Sequence, residues 1–262
     1  MRKTSMRKSG YLIIEGNIGA GKSTLAMALT DAFQRAGLNA EFLPEPDEST
    51  NPFLKLYCED SPRWAYTMQC HLLHRRFAST MYAQMGAQTG RGWFIMDRSF
   101  FGDLCFANVQ RNDGFFTDAE FRSYVENNEI MRSFLHYPTS SIFLQVSPEE
   151  CVRRMKKRME TNTGRQCEDK YDLGYFYSLQ GEINRLENFM KDKCDLRRLD
   201  WECEKSADEI NAVCDDLVRD LTSQSGVEPY DVYSPWGING GKLWKIEAKS
   251  DLHGLAEREN SK

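Results

Sequence analysis

No two of the eight cysteines form a CxxC pair, and the Cys–His spacing of a zinc site is absent. Cys58, Cys70, Cys105, Cys151, Cys167, Cys194, Cys203 and Cys214 are scattered through helical and strand patterns, which is how reduced thiols are used as small core residues. A basic surplus is missing too: 34 Lys+Arg stand against 39 Asp+Glu, for a formal charge of −5. Proteins that coat nucleic acid carry the opposite balance, so no nucleic-acid partner is expected. No apolar run reaches the roughly 18 residues of a membrane span, so no membrane association is expected. The basic opening MRKTSMRKSG leads only into Tyr11–Ile14, too short an apolar stretch for a signal peptide. Residues 1–10 therefore read as a disordered leader before a cytoplasmic protein. Internal repeats are absent. What remains is an ordinary globular balance, 40% hydrophobic and 28% charged in 262 residues. At about 100–200 residues per domain, that is one large domain, or one domain with an extension.

Strands and helices alternate along the chain. Tyr11–Glu15 is an apolar strand that breaks into a glycine loop, and a helix follows from Lys22 to Arg35, stopped by Gly37. Ala40–Leu43 is a second strand, ended by Pro44-Glu45-Pro46; two prolines cannot continue a ladder, so Glu45 sits on a strand-exit loop. A long helix is predicted over Arg63–Gln88, then a strand Trp93–Met96 ending at Asp97. Helices are predicted at Phe101–Gln110 and Asp118–His136, the second capped by Thr117 with Glu120 as its capping-box partner. Strand Ser140–Val146, a helix from Ser147-Pro148 to Met159, helix Leu173–Met190, strand Leu196–Trp201 and helix Ala207–Leu221 complete the pattern. Such alternation argues for a parallel sheet covered on both faces. From Ser223 onward the pattern fails, and Gly and Pro punctuate Tyr230, Tyr233, Trp236 and Trp244. This extension is expected to dock as an extended segment, since large apolar side chains gain roughly 1.5–3 kcal/mol from burial.

The strongest chemical signal is Gly16-Asn17-Ile18-Gly19-Ala20-Gly21-Lys22-Ser23, followed by Thr24. It fits GxxxxGK[ST], placed after a strand and before a helix. Backbone N–H groups of such a turn cradle phosphate oxygens, and the helix N-terminus adds its positive dipole end. Lys22 is expected to neutralise the terminal phosphates of ATP and Ser23 to ligate Mg²⁺. Asp97, at the carboxyl end of a buried strand, lies where ligands collect in parallel α/β sheets and resembles a Walker B acid, which would hold the Mg²⁺ through water. Glu45 leaves the neighbouring strand, where a carboxylate can accept a proton from an attacking hydroxyl. Arg154 and Arg158 are four residues apart on one helical face, placed to clamp a phosphoryl group in the transition state. Arg153, Lys156 and Lys157 read as a solvated face.

Together these residues resemble the deoxyribonucleoside kinases of the deoxycytidine/deoxyguanosine/deoxyadenosine kinase type, over roughly Tyr11–Leu221. The resemblance rests on the phosphate loop, Pro44-Glu45-Pro46, Tyr57 followed by Arg63-Trp64 and Gln69, Asp97-Arg98-Ser99 with Asp103, and an arginine lid. It implies a P-loop α/β fold with a five-stranded parallel sheet in the order 2-3-1-4-5. It implies that Glu45 takes the proton from the sugar 5′-hydroxyl, that Tyr57 and Glu168 hold the 3′-hydroxyl, and that Gln69, Arg76 and Asp103 read the base. Met68 and Phe106 would supply apolar walls, Arg98 would lie near the 5′-oxygen and phosphates, and Arg154, Arg158 and Arg165 would form the lid. The loop near Glu202–Lys205 would meet the ATP adenine. The sequence departs from the family in length between Arg158 and Arg165, and Asp169–Leu173 replaces the family's usual Gly-Ile-Pro-Leu.

Arg76 and Asp103 favour a base with an exocyclic amino group, because a carboxylate accepts and a guanidinium donates. Deoxyadenosine, deoxycytidine or deoxyguanosine is therefore expected over thymidine. A homodimer is expected from the long apolar helices at Arg63 and Asp118. Two rivals stand beside this reading: a nucleoside monophosphate kinase of thymidylate-kinase type, and a non-catalytic nucleotide-binding partner subunit. Glu45 argues against the first by repelling a 5′-phosphate. Intact Glu45, Asp97 and Arg98 argue against the second.

Overall fold

A computed structural model describes residues 8–46, 51–161 and 168–223. Most of the expected leader, the lid residue Arg165 and the aromatic extension beyond Ser223 lie outside the described residues.

Five strands form one all-parallel sheet in the order β2-β3-β1-β4-β5. They are β1 Gly10–Glu15, β2 Ala40–Leu43, β3 Trp93–Asp97, β4 Ser140–Gln145 and β5 Asp195–Asp200. Gly10 is therefore strand and not leader. Side chains alternate across the sheet with period two, and both faces are buried. Tyr11, Ile13, Phe94, Met96 and Phe143 enter one core, while Leu12, Ile14, Trp93, Ile95, Ile142 and Leu144 enter the other.

The second core is closed by α1 Lys22–Arg35, α6 Pro148–Thr161 and α8 Ala207–Ser223. Leu25, Leu29 and Phe33 recur at four-residue spacing on the buried stripe of α1, and Phe33 stacks on Trp93 at 4.7 Å. The first core lies under α2 Phe53–Glu59, α3 Ser61–Gln88, α4 Asp103–Asn112, α5 Asp118–Arg132 and α7 Leu173–Met190. Asp60 caps α3, accepting from the Arg63 amide at 3.2 Å. The Thr117–Glu120 capping box on α5 forms as its spacing predicts. That helix stops at Arg132, short of the expected His136, and the chain tightens through Phe134 N–H to Met131 and Leu135 N–H to Arg132 carbonyls. Pro138 disfavours helical backbone in the residue before it. The short α2 has no counterpart in the sequence reading: its seven residues carry too little periodicity to announce a helix.

Register sets up the functional end of the sheet. Ile14 of β1 lies opposite Asp97 of β3, and Leu43 of β2 opposite Met96. The loops that follow β1, β2 and β3 therefore leave the sheet side by side, carrying the glycine loop, Glu45 and Arg98 to one place.

Candidate active site

The glycine loop needs backbone shapes that side chains resist. Gly19 has φ +77°, and a Cβ there would lie 2.7 Å from the Cys151 carbonyl oxygen; Gly21, at the start of α1, has φ +95°. Asn17 braces the loop from within. Its Oδ1 accepts from the Ile18 amide at 2.9 Å, and its Nδ2 donates to the Phe176 carbonyl of α7 at 2.9 Å. Lys22 folds back so that Nζ donates to the Asn17 carbonyl at 2.7 Å. Burial, then the nearby Arg98 charge, lowers the Lys22 ammonium to about 8 against the pull of Asp97, Glu45 and Glu15. The Ser23 hydroxyl donates to Asp97 Oδ2. Thr24 stays exposed on the first turn of α1.

Arg98 is the one non-glycine residue with positive φ among the described residues, at 64°. Such a conformation persists only where surrounding contacts over-determine it. Here the Arg98 amide donates to Ile14 O at 3.1 Å, Nη1 to the Gly16 carbonyl at 3.0 Å, and Nε to Glu45 Oε2 at 3.0 Å. The guanidinium also lies 3.9 Å from buried Glu15 and 4.7 Å from the Phe106 ring centre. Glu45 Oε1 accepts from Arg76 Nη2. Burial pushes the Glu45 carboxyl up, but Arg98, Arg76 and Lys22 together outweigh it and hold the group at about 2. Glu45 is thus a fixed anion held between two guanidiniums.

A cavity of about 350 Å³ opens beside this cluster. Ile18, Gly19, Lys22 and Ser23 line its phosphate-loop end, Glu45, Asp97 and Arg98 its middle, and Met68, Gln69, Arg76, Phe106 and Gln110 its inner end. Its size falls in the usual range for a small-molecule site. Arg158 and Glu168 also line it, joined by an ion pair at 2.6 Å.

Comparison with known proteins decides what this arrangement belongs to. The family described as "Deoxynucleoside kinase" matches residues 12–215. The chain belongs to the deoxynucleoside kinase family. It is accordingly a phosphotransferase acting on a deoxynucleoside, with a nucleotide as phosphate donor. It is 30% identical over 213 residues to a deoxyguanosine kinase of Dictyostelium discoideum, covering 81% of this chain and 70% of that protein. A deoxyadenosine/deoxycytidine kinase of Bacillus subtilis is 26% identical, covering 72% of this chain and 81% of its own length. A solved structure of deoxyadenosine kinase from M. mycoides, with dCMP and a flexible dCDP bound, shares the fold: TM-score 0.64, 22% identity, 81% of this chain and 99% of that one.

Within this deoxynucleoside kinase, several expected site residues stand back from the cavity. Asp103 is fully buried behind its wall; its carboxylate takes Arg76 on Oδ1, and Tyr124 and Gln69 on Oδ2. It anchors the residues that face the cavity and does not face it itself. Tyr57 is 1% exposed and likewise behind the wall, hydrogen-bonded to Tyr171, which does line the cavity. Arg154 is committed elsewhere: it donates to Glu150 at 2.7 Å, to the Ala20 carbonyl at 3.3 Å, and to the Trp201 and Glu202 carbonyls at 2.8 Å each. It ties the lid helix to the phosphate loop and to the loop after β5. Gln110, Tyr171, Tyr175, Asn51, Leu54 and Leu72 line the cavity without having been singled out in the sequence. None carries a local motif, and only the packing of α2, α3, α4 and α7 brings them together.

Proposed function

We propose that the chain transfers the γ-phosphoryl group of ATP to the 5′-hydroxyl of a deoxyribonucleoside bearing an amino-substituted base, with Mg²⁺. The observation that carries this is the placement of the Glu45 carboxylate between Arg76 and Arg98, in one cavity with the phosphate loop. The base enters at Gln69 and Arg76, stacked over by Phe106 and flanked by Met68. The sugar then lies near Tyr171, Glu168 and Arg158, with its 5′-oxygen at Glu45. Glu45 orients that hydroxyl and accepts its proton. A carboxylate at about 2 is a weak base, which suits phosphoryl transfer, where positioning and charge stabilisation supply most of the rate. Arg98 and Lys22 stabilise charge on the transferring group, Arg158 closes over it, and Arg154 sets the lid helix in place.

The metal reading fits the residues present. Asp97 Oδ1 is buried without a hydrogen-bond partner among the described residues, and Oδ2 is already in contact with Ser23 Oγ. Ser23 and Asp97 would hold Mg²⁺, which when bound neutralises charge on the phosphate oxygens. The loop around Glu202–Lys205 adjoins the phosphate loop through Trp201, which packs against Gly21, and is the place for the ATP adenine.

A homodimer is the assembly this reading favours. Met85 on α3 and Ile130 on α5 are about half exposed, at 56% and 49%. Light scattering at micromolar concentration should give twice the monomer mass; a monomer there removes this part. Turnover with ATP and Mg²⁺ on four deoxynucleosides and four deoxynucleoside monophosphates tests the reaction itself. Phosphorylation of deoxyadenosine, deoxycytidine or deoxyguanosine, in preference to thymidine, is the expected result. Activity confined to the monophosphates would establish the rival kinase, and no turnover would favour a partner subunit.

A further inference from the structure

The inner end of the cavity carries a chain of amides whose polarity is set from one end. Asp103 offers only acceptors. It therefore fixes Gln69 with Nε2 toward it, donating to Oδ2 at 2.9 Å and to the Asp103 carbonyl at 3.1 Å. Gln69 Oε1 must then face the other way, where Gln110 Nε2 donates to it at 3.2 Å. That donation in turn points Gln110 Oε1 away from Gln69. This last oxygen is buried and has no hydrogen-bond partner among the described residues. Neither amide can flip alone: a flipped Gln69 would set its oxygen against a carboxylate, and a flipped Gln110 would set oxygen against oxygen. The anchor is itself firmly held, since Asp103 also accepts from Tyr124 and Arg76. Gln69 is fully buried and Gln110 is 2% exposed, yet both line the cavity.

Asp103 lies fully buried behind the cavity wall with three donors on its carboxylate, whereas Gln69 and Gln110 line the cavity and carry two further acceptor oxygens. Gln69 Oε1 keeps one lone pair beyond its bond to Gln110, and Gln110 Oε1 keeps both. We propose that Gln110 is a specificity-determining residue: it locks Gln69 as an acceptor and adds a second acceptor, so the site selects a purine with two adjacent N–H donors. Among the four common bases only guanine presents such a pair, its N1–H and its 2-amino group. An unmatched buried acceptor is expensive, so a base that satisfies it is preferred over one that does not. The inference rests on the reading of this end of the cavity as the base pocket.

The experiment compares kcat/KM for deoxyguanosine and deoxyinosine, which differ only in the 2-amino group. The wild-type enzyme should prefer deoxyguanosine by about 10-fold or more, the scale of one missing hydrogen bond to a buried acceptor. In Gln110→Met the ratio should collapse to within about threefold, with the melting temperature close to wild type, because the variant removes the unmatched oxygen with the amide. A structural role would lower both substrates equally and leave the ratio unchanged. A wild-type ratio near one, or an unchanged ratio in a folded Gln110→Met, overturns the inference. The wild-type comparison stands even if that variant does not fold. Gln69→Met separates the two readings. If it alters selectivity among the deoxynucleosides while Gln110→Met does not, only the role of Gln110 fails. If it leaves selectivity untouched, the pocket itself has been misplaced.

Discussion

Replacing Glu45 with glutamine keeps the side chain's size and removes its charge. In the wild type one oxygen accepts from Arg76 and the other from Arg98 Nε at 3.0 Å. Glutamine can serve one of these donors through its oxygen, but its amide nitrogen then faces the other guanidinium. Arg76 retains Asp103, and Arg98 retains the Gly16 carbonyl and Glu15 at 3.9 Å, so the arginines keep their positions. Loss of one charge-assisted bond between largely buried partners costs about 1–3 kcal/mol, and the fold survives. If Glu45 accepts the hydroxyl proton as proposed, its loss costs more where it counts, about 10²–10⁴-fold in kcat. Steady-state turnover gives the kinetic term, and nucleoside binding by calorimetry shows that the pocket persists. Acid unfolding supplies an independent check. The Glu45 pKa is depressed from 4.5 to about 2 in the folded protein, so its stabilisation is present above the unfolded value and lost as pH falls through that window. The stability gap between wild type and Glu45→Gln should therefore narrow between pH 4.5 and 2. A variant whose kcat stays within threefold of wild type would remove Glu45 from the mechanism.

Burial and the Arg98 charge lower Lys22 to about 8 in the folded protein, and the phosphate contact proposed for it needs its charged form. The ATP dissociation constant should rise toward about tenfold per pH unit above that point, by calorimetry, and a flat profile would refute the assignment. Because the folded pKa lies below the unfolded 10.5, this lysine should make the protein more stable as pH rises from about 8 to 10.5. Asp97→Asn should require about 10–100-fold more Mg²⁺ for half-maximal activity. An unchanged Mg²⁺ dependence would take Asp97 out of the metal site. Gly19→Ala should lower the melting temperature and weaken ATP binding, since the left-handed backbone costs a side chain roughly 1–2 kcal/mol and the added methyl meets the Cys151 carbonyl. A wild-type melting curve and ATP affinity would contradict the loop geometry.

The parts of the site that are contiguous in sequence were legible there. The phosphate loop is a single run whose glycines and lysine must stand at fixed spacing. Glu45 is flagged by its two prolines, and Asp97 and Arg98 by the end of an apolar strand. Strand alternation with helices implies the parallel sheet, and the strand bounds expected from sequence lie within a residue of the observed ones at each end. Burial relative to the cavity was not legible, because it is a property of packing. Asp103 and Tyr57 read as groups that touch substrate, yet lie behind Gln69 and Tyr171. Arg154 read as a phosphate clamp on helical spacing alone; the carbonyls of Ala20, Trp201 and Glu202 that engage it come from distant loops. Gln110 and Tyr124 look like ordinary residues of α4 and α5 until those helices pack on α3.

In the proposed reaction one cavity joins a phosphate donor to a deoxynucleoside hydroxyl at Glu45. Rapid-quench single turnover tests it most directly, with enzyme in excess over γ-labelled ATP and deoxyguanosine, and with the product's phosphorylated position read by phosphorus NMR. The predicted result is stoichiometric transfer of label to the 5′-oxygen in the wild type, with the rate reduced about 10²–10⁴-fold in Glu45→Gln and nucleoside binding retained. Label released to water, or transferred at the same rate by both proteins, would contradict it.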